Sequence, residues 1–551
     1  MKNGTTKNIN KSSFMKNVLI LICSQIVIKI LGLIYKLVII NIEGFGNTGN
    51  GYYSTGYNLY ALLLTLSSIG IPSVISKLVS ERLAIEDRSG AQRIFKVAMT
   101  FFVLIGTVLS FLLFFGADFI ASNIYKAPDV KYVLKVLAPA IVFVSASSIF
   151  RGYFAGQDNM KPTSISQTLE QFLNCVLSIT FVYMAIGKES YIMAAAGNLS
   201  TTLAVIITFI YLVTYYRRNK IVIQPNQISL ESNKSSKDIL KLILSISLPI
   251  TFGSIISVIN PVLDSATVSN CIQYAYSGII TVADELSNKA MYLVGILSKV
   301  DTLVNLPLAI NLAFSTALVP AIAGSIAKKD YDTAKKRISF SMFASIIIVI
   351  PCAVGFIVLA EPILKLIYPA ASDGIGILQI MSIAMIFVAL SQTLNGGLYG
   401  VNKMFTPVIA LLIGATVKFI LNIILIRNPN INIYGAAISS VVCQTIAFTI
   451  SFVSLNKSIK LDIRFKRYIF KPISCGIIMG IITYLINISL SNIVSESIST
   501  LISIFLGAAI YVIMIFMLKV LSKDDILMIP FGTNIYKLLI KVGLYKEELV
   551  K

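Results

Sequence analysis

The sequence predicts an all-α polytopic membrane protein with about fourteen transmembrane helices, arranged as two parallel-repeat six-helix bundles around a central cavity plus two C-terminal helices. Three observations support this fold class. The 551 residues are 56% hydrophobic and 13% charged, with a mean hydropathy of +0.83, far outside the range of soluble domains. Apolar stretches of about twenty residues, enough to cross a ~30 Å hydrocarbon core, recur along the chain. The sequence also repeats itself.

The basic residues predict the orientation in the membrane. Lys and Arg number 46 against 25 Asp and Glu, and roughly 35 of the basic residues fall in loops on the side of the N-terminus. Cytoplasmic loops are enriched in Lys and Arg, so both termini are predicted to be cytoplasmic. The excess charge therefore indicates topology, and no nucleic-acid partner is expected. The first apolar run continues to about Ile42 without a cleavage pattern, which predicts a retained helix.

The repeat is visible as four short segments of the first half that resemble four segments of the second half, in the same order. They pair GIPSVIS around Pro72 with LVPAIAG around Pro320, GAQRI ending at Ile94 with TAKKRI ending at Ile338, FIASNIYKAP (119–128) with PILKLIYPAA (362–371), and GYFAGQDNMKP (152–162) with GLYGVNKMFTP (397–407). The matched loops are basic in both halves, which predicts parallel repeats of the same orientation.

The repeat predicts the domain boundaries. The expected segments are a cytoplasmic N-terminal segment (1–16), a first bundle (17–217), a cytoplasmic linker (218–238), a second bundle (239–456), two extra helices (457–521) and a cytoplasmic tail (522–551). Within the fourth match, Gly152 and Gly156 are expected to relax a helix end and Pro162 to start the next helix. This segment is predicted to be a cytoplasmic hairpin.

The composition argues against catalysis. The chain contains no His, which removes the commonest acid–base catalyst and the commonest metal ligand, and its six Cys are scattered singly. No enzyme activity, cofactor or firm metal site is expected.

Charged residues inside the spans are the candidate functional residues, because each costs about 2.5–3.5 kcal/mol at mid-membrane unless it meets water or a partner. In the first span, Lys29 and Lys36 are seven residues apart and so lie on one face, close to Gly32. Lys29 is near the middle of its run, where a lysine reaches the interface poorly. Lys29 is therefore predicted to line the cavity. For Lys36, lining the cavity and reaching the membrane interface are equally supported.

The seventh and eighth spans carry a second group. Asn260 and Pro261 are expected to interrupt the seventh helix beside Asp264, which could hold a coupling monovalent cation. In the eighth span Lys299, Thr302 and Asn305 are predicted to form a polar stripe, with Asp301 close by. The alternative is an internal Lys299–Asp301 pair or an interhelical ion pair that merely satisfies itself.

The fifth span carries a polar ribbon that must face protein or water. Its members at helical spacing are Gln167, Glu170, Gln171, Asn174 and Ser178. In the repeat, KFILN (Lys418 to Asn422) resembles EQFLN (Glu170 to Asn174). Two interpretations stay open: a latch between Glu170 and Lys418, or pairing of each residue within its own bundle.

With the repeat, KILG in the first helix (29–32) and VDTLVNLP in the eighth (300–307), the sequence resembles the lipid-linked oligosaccharide and lipid II flippases of the MATE-like (MOP) exporter superfamily. The likeness is greatest to polysaccharide-biosynthesis and stage V sporulation protein B-like members and to the MurJ-like group. The resemblance implies alternating access around a central cationic cavity formed by the first, second, seventh and eighth helices. It also implies a location in a bacterial cytoplasmic membrane and an undecaprenyl-pyrophosphate-linked saccharide as substrate, with no bond made or broken.

Compared residue by residue, Lys29 falls where the MurJ-like group has its first basic residue, and Gly32 and Asp301 match as well. Tyr35 stands where a second arginine is usual, beside Lys36. Thr302 replaces the arginine that follows the aspartate, with Lys299 one turn earlier as the candidate substitute. The resemblance thus implies a less cationic cavity than in that group.

The sequence therefore predicts a flippase in which Lys29, Lys36 and Lys299 meet the pyrophosphate and Asp264 and Asp301 set the cavity charge or bind a coupling cation. Coupling to a monovalent cation, a proton or the membrane potential is expected, with membrane lipids as the other partners and a monomer as the working unit. The alternatives are a cation-coupled multidrug exporter of the MATE type, an enzyme acting on lipid-linked glycans, and a non-transporting scaffold in envelope or spore assembly.

Overall fold

A computed structural model describes residues 11–68, 70–221, 235–461, 466–528, 532–541 and 545, and all regular secondary structure among them is helical. The first ten residues, most of the predicted linker and much of the predicted tail lie outside the described residues. The helices are α1 (Lys11–Ile40), α2 (Gly46–Ser68), α3 (Ile71–Ala84), α4 (Arg88–Phe119), α5 (Val130–Leu137), α6 (Ala140–Ala155), α7 (Lys161–Met184), α8 (Ser190–Asn219), α9 (Ser236–Tyr276), α10 (Ala283–Ala327), α11 (Tyr331–Val358), α12 (Ala360–Ile367), α13 (Ile375–Gly400), α14 (Phe405–Ile426), α15 (Tyr434–Ile459), α16 (Lys471–Ser491), α17 (Glu496–Met517), α18 (Lys523–Met528) and α19 (Gly532–Lys541). Two π-helical turns, Ile120–Ile124 and Lys466–Phe470, adjoin α4 and α16.

The helices account for the predicted number of membrane spans. Among the described residues, 12 stretches are long and apolar enough to cross a membrane, with α2 and α3 forming one stretch and α5 and α6 another. Helices α1 and α7 are not among these, but at 30 and 24 residues they are also long enough to cross. Including them gives the fourteen predicted spans. Helix α7 does not contain a segment as apolar as these twelve stretches, because it carries the polar ribbon.

The chain packs as two compact units, one ending at Ser298 and the other beginning at Lys299. This division lies within α10, whereas the sequence suggested a boundary in the linker at 218–238. The reason is that α9 and the start of α10 pack against helices of the first half. The Asn58 amide donates to the Ser265 hydroxyl of α9 (3.0 Å), and the Asn50 amide donates to the Gly295 carbonyl of α10 (2.8 Å).

Helices α2 and α10 meet backbone against backbone within the first unit. A Cβ atom added at Gly51 would lie 1.9 Å from the Met291 carbonyl oxygen, and one added at Gly295 would lie 1.8 Å from the Asn47 carbonyl oxygen. No side chain can occupy such a space, so both positions require glycine for this crossing.

The two halves use the same helix caps, as the predicted repeat requires. Asp87 caps α4 by accepting a hydrogen bond from the Gly90 backbone N–H (2.7 Å). Asp330, 243 residues later, caps α11 by accepting from the Thr333 backbone N–H (3.0 Å). In each half the residue before the cap has a positive φ, 62° at Glu86 and 58° at Lys329. The repeat therefore extends to local backbone geometry.

The same asparagine also joins two helices in each half. The Asn174 side-chain oxygen of α7 accepts a hydrogen bond from the Ser200 hydroxyl of α8 (2.6 Å). The matching Asn422 of α14 accepts from the Ser439 hydroxyl of α15. All four side chains are buried, so Asn174 of the predicted ribbon and its match Asn422 act as interhelical contacts.

The segment at 152–162 is a helical hairpin, as predicted, but its glycines have a further role. Helix α6 ends at Ala155, and Pro162 is the second residue of α7. A Cβ atom at Gly152 would lie 2.8 Å from the Pro72 carbonyl oxygen, so this glycine allows α6 to pack closely on α3. In the second half, Gly396 makes a comparable close approach to the Ser315 carbonyl oxygen.

Candidate substrate-binding site

Helix α1 has two exposed faces of opposite character. With 3.6 residues per turn, Gln25, Lys29, Gly32 and Lys36 follow one line along the helix. We call this line the polar stripe of α1; Gln25 and Lys29 are exposed, and Gly32 and Lys36 are half-buried. Roughly opposite it runs a line of exposed apolar side chains: Val27, Ile30, Ile34 and Val38. The apolar line is suited to contact lipid, so the polar stripe points away from lipid.

Helix α7 packs along one edge of the polar stripe. The Ser24 and Thr168 hydroxyls are 2.9 Å apart, and the Gln25 amide donates to the Gln167 side-chain oxygen at 3.0 Å. The Ser24 hydroxyl also donates to the Ser164 carbonyl (3.2 Å), and further along both helices Gly32 lies beside Gln171. The contacts therefore advance in the same direction on both helices, so α1 and α7 run parallel. The polar ribbon predicted for the fifth span therefore lies beside the polar stripe of the first.

The register places Lys29 at the level of Glu170 and Gln171. One turn further along α1, a Cβ atom added at Gly32 would lie 3.4 Å from the Gln171 amide nitrogen, so the glycine leaves room for this side chain. Lys29 makes no hydrogen bond or ion pair with the described residues. It is also about 16 Å of helix from the C-terminal end of α1, a depth at which a bare ammonium group requires water or an anionic ligand.

Tyrosines of α2 lie near the polar ribbon of α7, because Tyr57 and Tyr60 both interact electrostatically with Glu170. The ring of Tyr57 stacks on that of Tyr53, with centroids 6.3 Å apart and planes at 14°, and packs against Tyr60 at 5.7 Å. The Tyr57 side chain remains 36% exposed, while Tyr53 and Tyr60 are buried. Tyr35, which replaces the usual second arginine, is buried and its hydroxyl accepts a hydrogen bond from Tyr53. Tyr35 therefore supports the tyrosine stack.

Glu170 is paired within its own half. An Arg151 guanidinium nitrogen lies 2.6 Å from the Glu170 carboxylate, and the Arg151 Nε donates to the Ser166 hydroxyl at 3.0 Å. Of the two interpretations considered for Glu170, the structure shows pairing within the bundle. Lys418, the proposed latch partner, is itself buried in the second unit. The carboxylate charge on α7 is thus balanced by a neighbouring helix.

Lys299 does not line open space in this structure. The sequence placed it among the phosphate-binding residues, but its side chain is 0% exposed. Its ammonium group donates to the Ala371 carbonyl and lies 5.6 Å from the centre of the Tyr368 ring. The physical reason is that the segment following α12 folds over this face of α10. Lys299 thus joins α10 to that segment.

The rest of the predicted stripe on α10 is only partly open. Asn305 is exposed, whereas Asp301 and Thr302 are half-buried. Helix α10 continues through Pro307 without a break. The four residues therefore do not form one continuous exposed line, because Lys299 points to the interior of its unit.

The predicted interruption of the seventh span is absent. Helix α9 runs unbroken through Asn260 and Pro261, as neighbouring helices can support the backbone around a proline. Here α2 packs alongside, and the Asn58 amide approaches the Pro261 carbonyl (3.4 Å). Asp264 is half-buried, and the Asn260 side-chain oxygen is buried without a hydrogen bond to the described residues. These two residues still offer oxygen atoms on adjacent turns.

Sequence reasoning missed Arg151, Tyr57 and Gln25. Arg151 directly precedes the GYFAGQ motif and reads as a loop charge from sequence alone. The tyrosines at 53, 57 and 60 in YYSTGYNLY do have helical spacing, and this was the available signal for the aromatic stack. Gln25 is four residues before Lys29, and so could have been placed on the polar stripe.

Comparisons with known proteins agree with this architecture. The family model described as "polysaccharide biosynthesis protein" matches residues 14–326, more than half of the chain. The chain belongs to this polysaccharide biosynthesis protein family. A second family model, "lipid II flippase MurJ", matches residues 280–504. The resemblance to polysaccharide-biosynthesis members of the MOP superfamily is thereby confirmed.

Two curated relatives from Bacillus subtilis (strain 168) show how far this family likeness extends. Stage V sporulation protein B is 28% identical over 527 residues, covering 94% of this chain and 98% of the relative. Lipid II flippase MurJ is 27% identical over 436 residues, covering 76% of this chain and 78% of the relative. The family resemblance therefore spans nearly the whole chain.

Solved structures show the same fold at low identity. Lipid II flippase MurJ in an inward closed conformation aligns with a TM-score of 0.69 at 17% identity, covering 90% of this chain and 98% of that one. An inward-facing multidrug resistance MATE family transporter of the MOP superfamily aligns with a TM-score of 0.65 at 14% identity, covering 77% and 94%. The predicted all-α transporter fold is confirmed.

Proposed function

We propose that this protein is a flippase that moves an undecaprenyl-pyrophosphate-linked saccharide, lipid II or a related cell-wall or polysaccharide precursor, across the bacterial cytoplasmic membrane by alternating access. The observation that carries the proposal is the polar stripe of α1, with Lys29 exposed at mid-span on the side opposite the apolar line. Membership of the polysaccharide biosynthesis protein family and the likeness to lipid II flippase MurJ support it.

The chemistry of the stripe suits this substrate. An ammonium group binds phosphate oxygens as a compact point charge, and it does so more strongly where water is scarce. A head group containing pyrophosphate can reside against the polar stripe while the prenyl tail stays in lipid. Lys29 and Lys36 are the proposed pyrophosphate contacts, and Lys299 is not, because it is buried and bonded to Ala371.

The remaining predicted residues have supporting roles in the proposal. Asp264 with Asn260 offers oxygen ligands of the kind that a coupling monovalent cation prefers, and Asp301 sets the charge of the cavity. Thr302 and Asn305 would contact the head group as it passes. The working unit is proposed to be a monomer with both termini in the cytoplasm.

The test is transport of a labelled lipid-linked disaccharide in vesicles reconstituted with the full chain. We expect Lys29→Ala to reduce the transport rate at least tenfold and Lys29→Arg to retain most of it, because the positive charge persists. Lys77→Ala is the matched control, since Lys77 is an exposed lysine whose one ion pair with the described residues is with the exposed Glu81 (3.9 Å). Full transport by Lys29→Ala, with Lys77→Ala also active, would contradict the proposal.

A further inference from the structure

We propose that the saccharide of the substrate is recognised by the first unit through a wall beside Lys29, formed by Gln25 of α1, Tyr57 of α2, and Gln167 and Gln171 of α7. We call these four residues the saccharide wall. The inference rests on the proposed function and extends it, since it assigns the residues that distinguish a glycan-bearing lipid from a bare prenyl pyrophosphate.

The side-chain amides of the wall have unused hydrogen-bonding capacity. The Gln25 amide donates to the Gln167 oxygen, which leaves the Gln167 amide hydrogens and the Gln25 oxygen available. Gln171 makes no hydrogen bond with the described residues, and Gly32 leaves it space. Unpaired amides at this depth are costly unless water or a ligand satisfies them. Saccharide hydroxyls both donate and accept hydrogen bonds, so they match this mixture of groups.

Tyr57 provides the apolar part of the wall. One side of its ring is held by stacking on Tyr53, and Tyr60 packs at its edge, so the ring has little freedom. The exposed 36% of the side chain is available to a ligand. A pyranose ring has an apolar face of C–H groups that packs on an aromatic ring, and tyrosine adds a hydroxyl that can hydrogen-bond nearby.

The charged residues around the saccharide wall favour a neutral saccharide that is joined to an anionic group. Arg151 balances Glu170, the acidic residue that lies among the wall residues on α7. Lys29 contributes a positive charge at the same level of the membrane. Lys29 would repel an organic cation, and Glu170 would attract it little because Arg151 already neutralises the carboxylate. A saccharide joined to a pyrophosphate would instead form hydrogen bonds with the wall and place its pyrophosphate near Lys29.

The experiment compares two ligands on the full-length protein in nanodiscs: undecaprenyl pyrophosphate, and the same lipid carrying a disaccharide. We expect the wild-type protein to bind the disaccharide lipid more tightly. Tyr57→Leu and Gln171→Leu should each weaken binding of the disaccharide lipid about tenfold and change binding of the bare lipid little. Tyr57→Phe should lose much less than Tyr57→Leu, because the ring is kept.

Controls separate this inference from the proposed function. Tyr183→Leu removes an exposed tyrosine elsewhere on α7 and should affect neither ligand. Lys29→Ala should weaken both ligands equally; if it changes neither, the proposed pyrophosphate site fails. The saccharide wall is refuted if the wild-type protein binds both lipids equally, or if Tyr57→Leu and Gln171→Leu weaken both lipids alike. Unfolding midpoints of each variant show whether a loss reflects misfolding.

Discussion

The two halves of the chain share their packing but differ in how they use polar side chains. In the first half, Lys29 and Tyr57 are exposed, and Gln171 keeps an amide without a partner among the described residues. In the second half, Lys299 and Lys418 are buried. Both halves nevertheless have the same aspartate caps and the same asparagine contacts between helices. Duplication has therefore preserved the residues that hold helices together, while the exposure of charged side chains within the spans differs between the halves.

The position of Arg151 shows this divergence directly. Its counterpart 245 residues later is Gly396, which lets α13 approach the Ser315 carbonyl oxygen of α10. The first half thus has an ion pair where the second half has a close backbone contact. Glu170 requires Arg151 at this depth, whereas the second half has the buried Lys418 at the position that matches Glu170.

The largest predicted effect on stability follows from this ion pair. Arg151→Ala leaves the Glu170 carboxylate unpaired inside the span and should lower the free energy of unfolding by about 3 kcal/mol. The value is at the low end for buried pairs because the Glu170 side chain is 29% exposed. Chemical unfolding in detergent measures it. The double variant Arg151→Leu, Glu170→Leu should recover most of the loss.

Lys77→Ala again serves as the control, because it breaks an ion pair between exposed side chains and should change stability by less than about 1 kcal/mol. Equal effects of Arg151→Ala and Lys77→Ala would mean that the Arg151–Glu170 pair is not a structural requirement of the first half.

The sequence predicts those features of the structure that depend on periodicity and composition. The fold class, the repeat and the side of α1 that carries Lys29 follow from hydropathy and helical spacing alone. The burial of Lys299 does not, because spacing assigns a residue to a face of α10 but cannot show that the segment containing Ala371 covers that face. Likewise, the pairing of Glu170 depends on Arg151, whose position on a neighbouring helix requires the tertiary structure.

A second prediction tests whether the lysines of the two halves have different roles. Lys299→Met removes the donor to the Ala371 carbonyl and should lower the free energy of unfolding by about 1–2 kcal/mol, because a buried carbonyl loses its partner. Lys29→Met should leave stability nearly unchanged and weaken binding of undecaprenyl pyrophosphate. Unfolding and binding measurements on both variants give the comparison. Loss of binding in Lys299→Met without a loss of stability would show that this lysine contacts substrate in another state.

The smallest effects are predicted for the two helix caps that the halves share. Asp87 is buried, so Asp87→Ala should cost about 1 kcal/mol through the lost hydrogen bond to the Gly90 N–H. Asp330 is exposed, and Asp330→Ala should produce a smaller fall in the unfolding midpoint. Equal effects would indicate that burial does not set the strength of these caps.

Asp330 is expected to make stability depend on pH through its cap. Hydrogen bonds from the Thr333 side chain and backbone N–H hold the pKa of Asp330 below its ordinary value. The stabilisation is therefore present above the pKa of the unfolded chain and is lost as the pH falls through the lower folded pKa. Asp330→Asn keeps a capping oxygen but cannot titrate. The difference in unfolding midpoint between wild type and Asp330→Asn should thus shrink between neutral and acidic pH, and a constant difference would exclude this contribution.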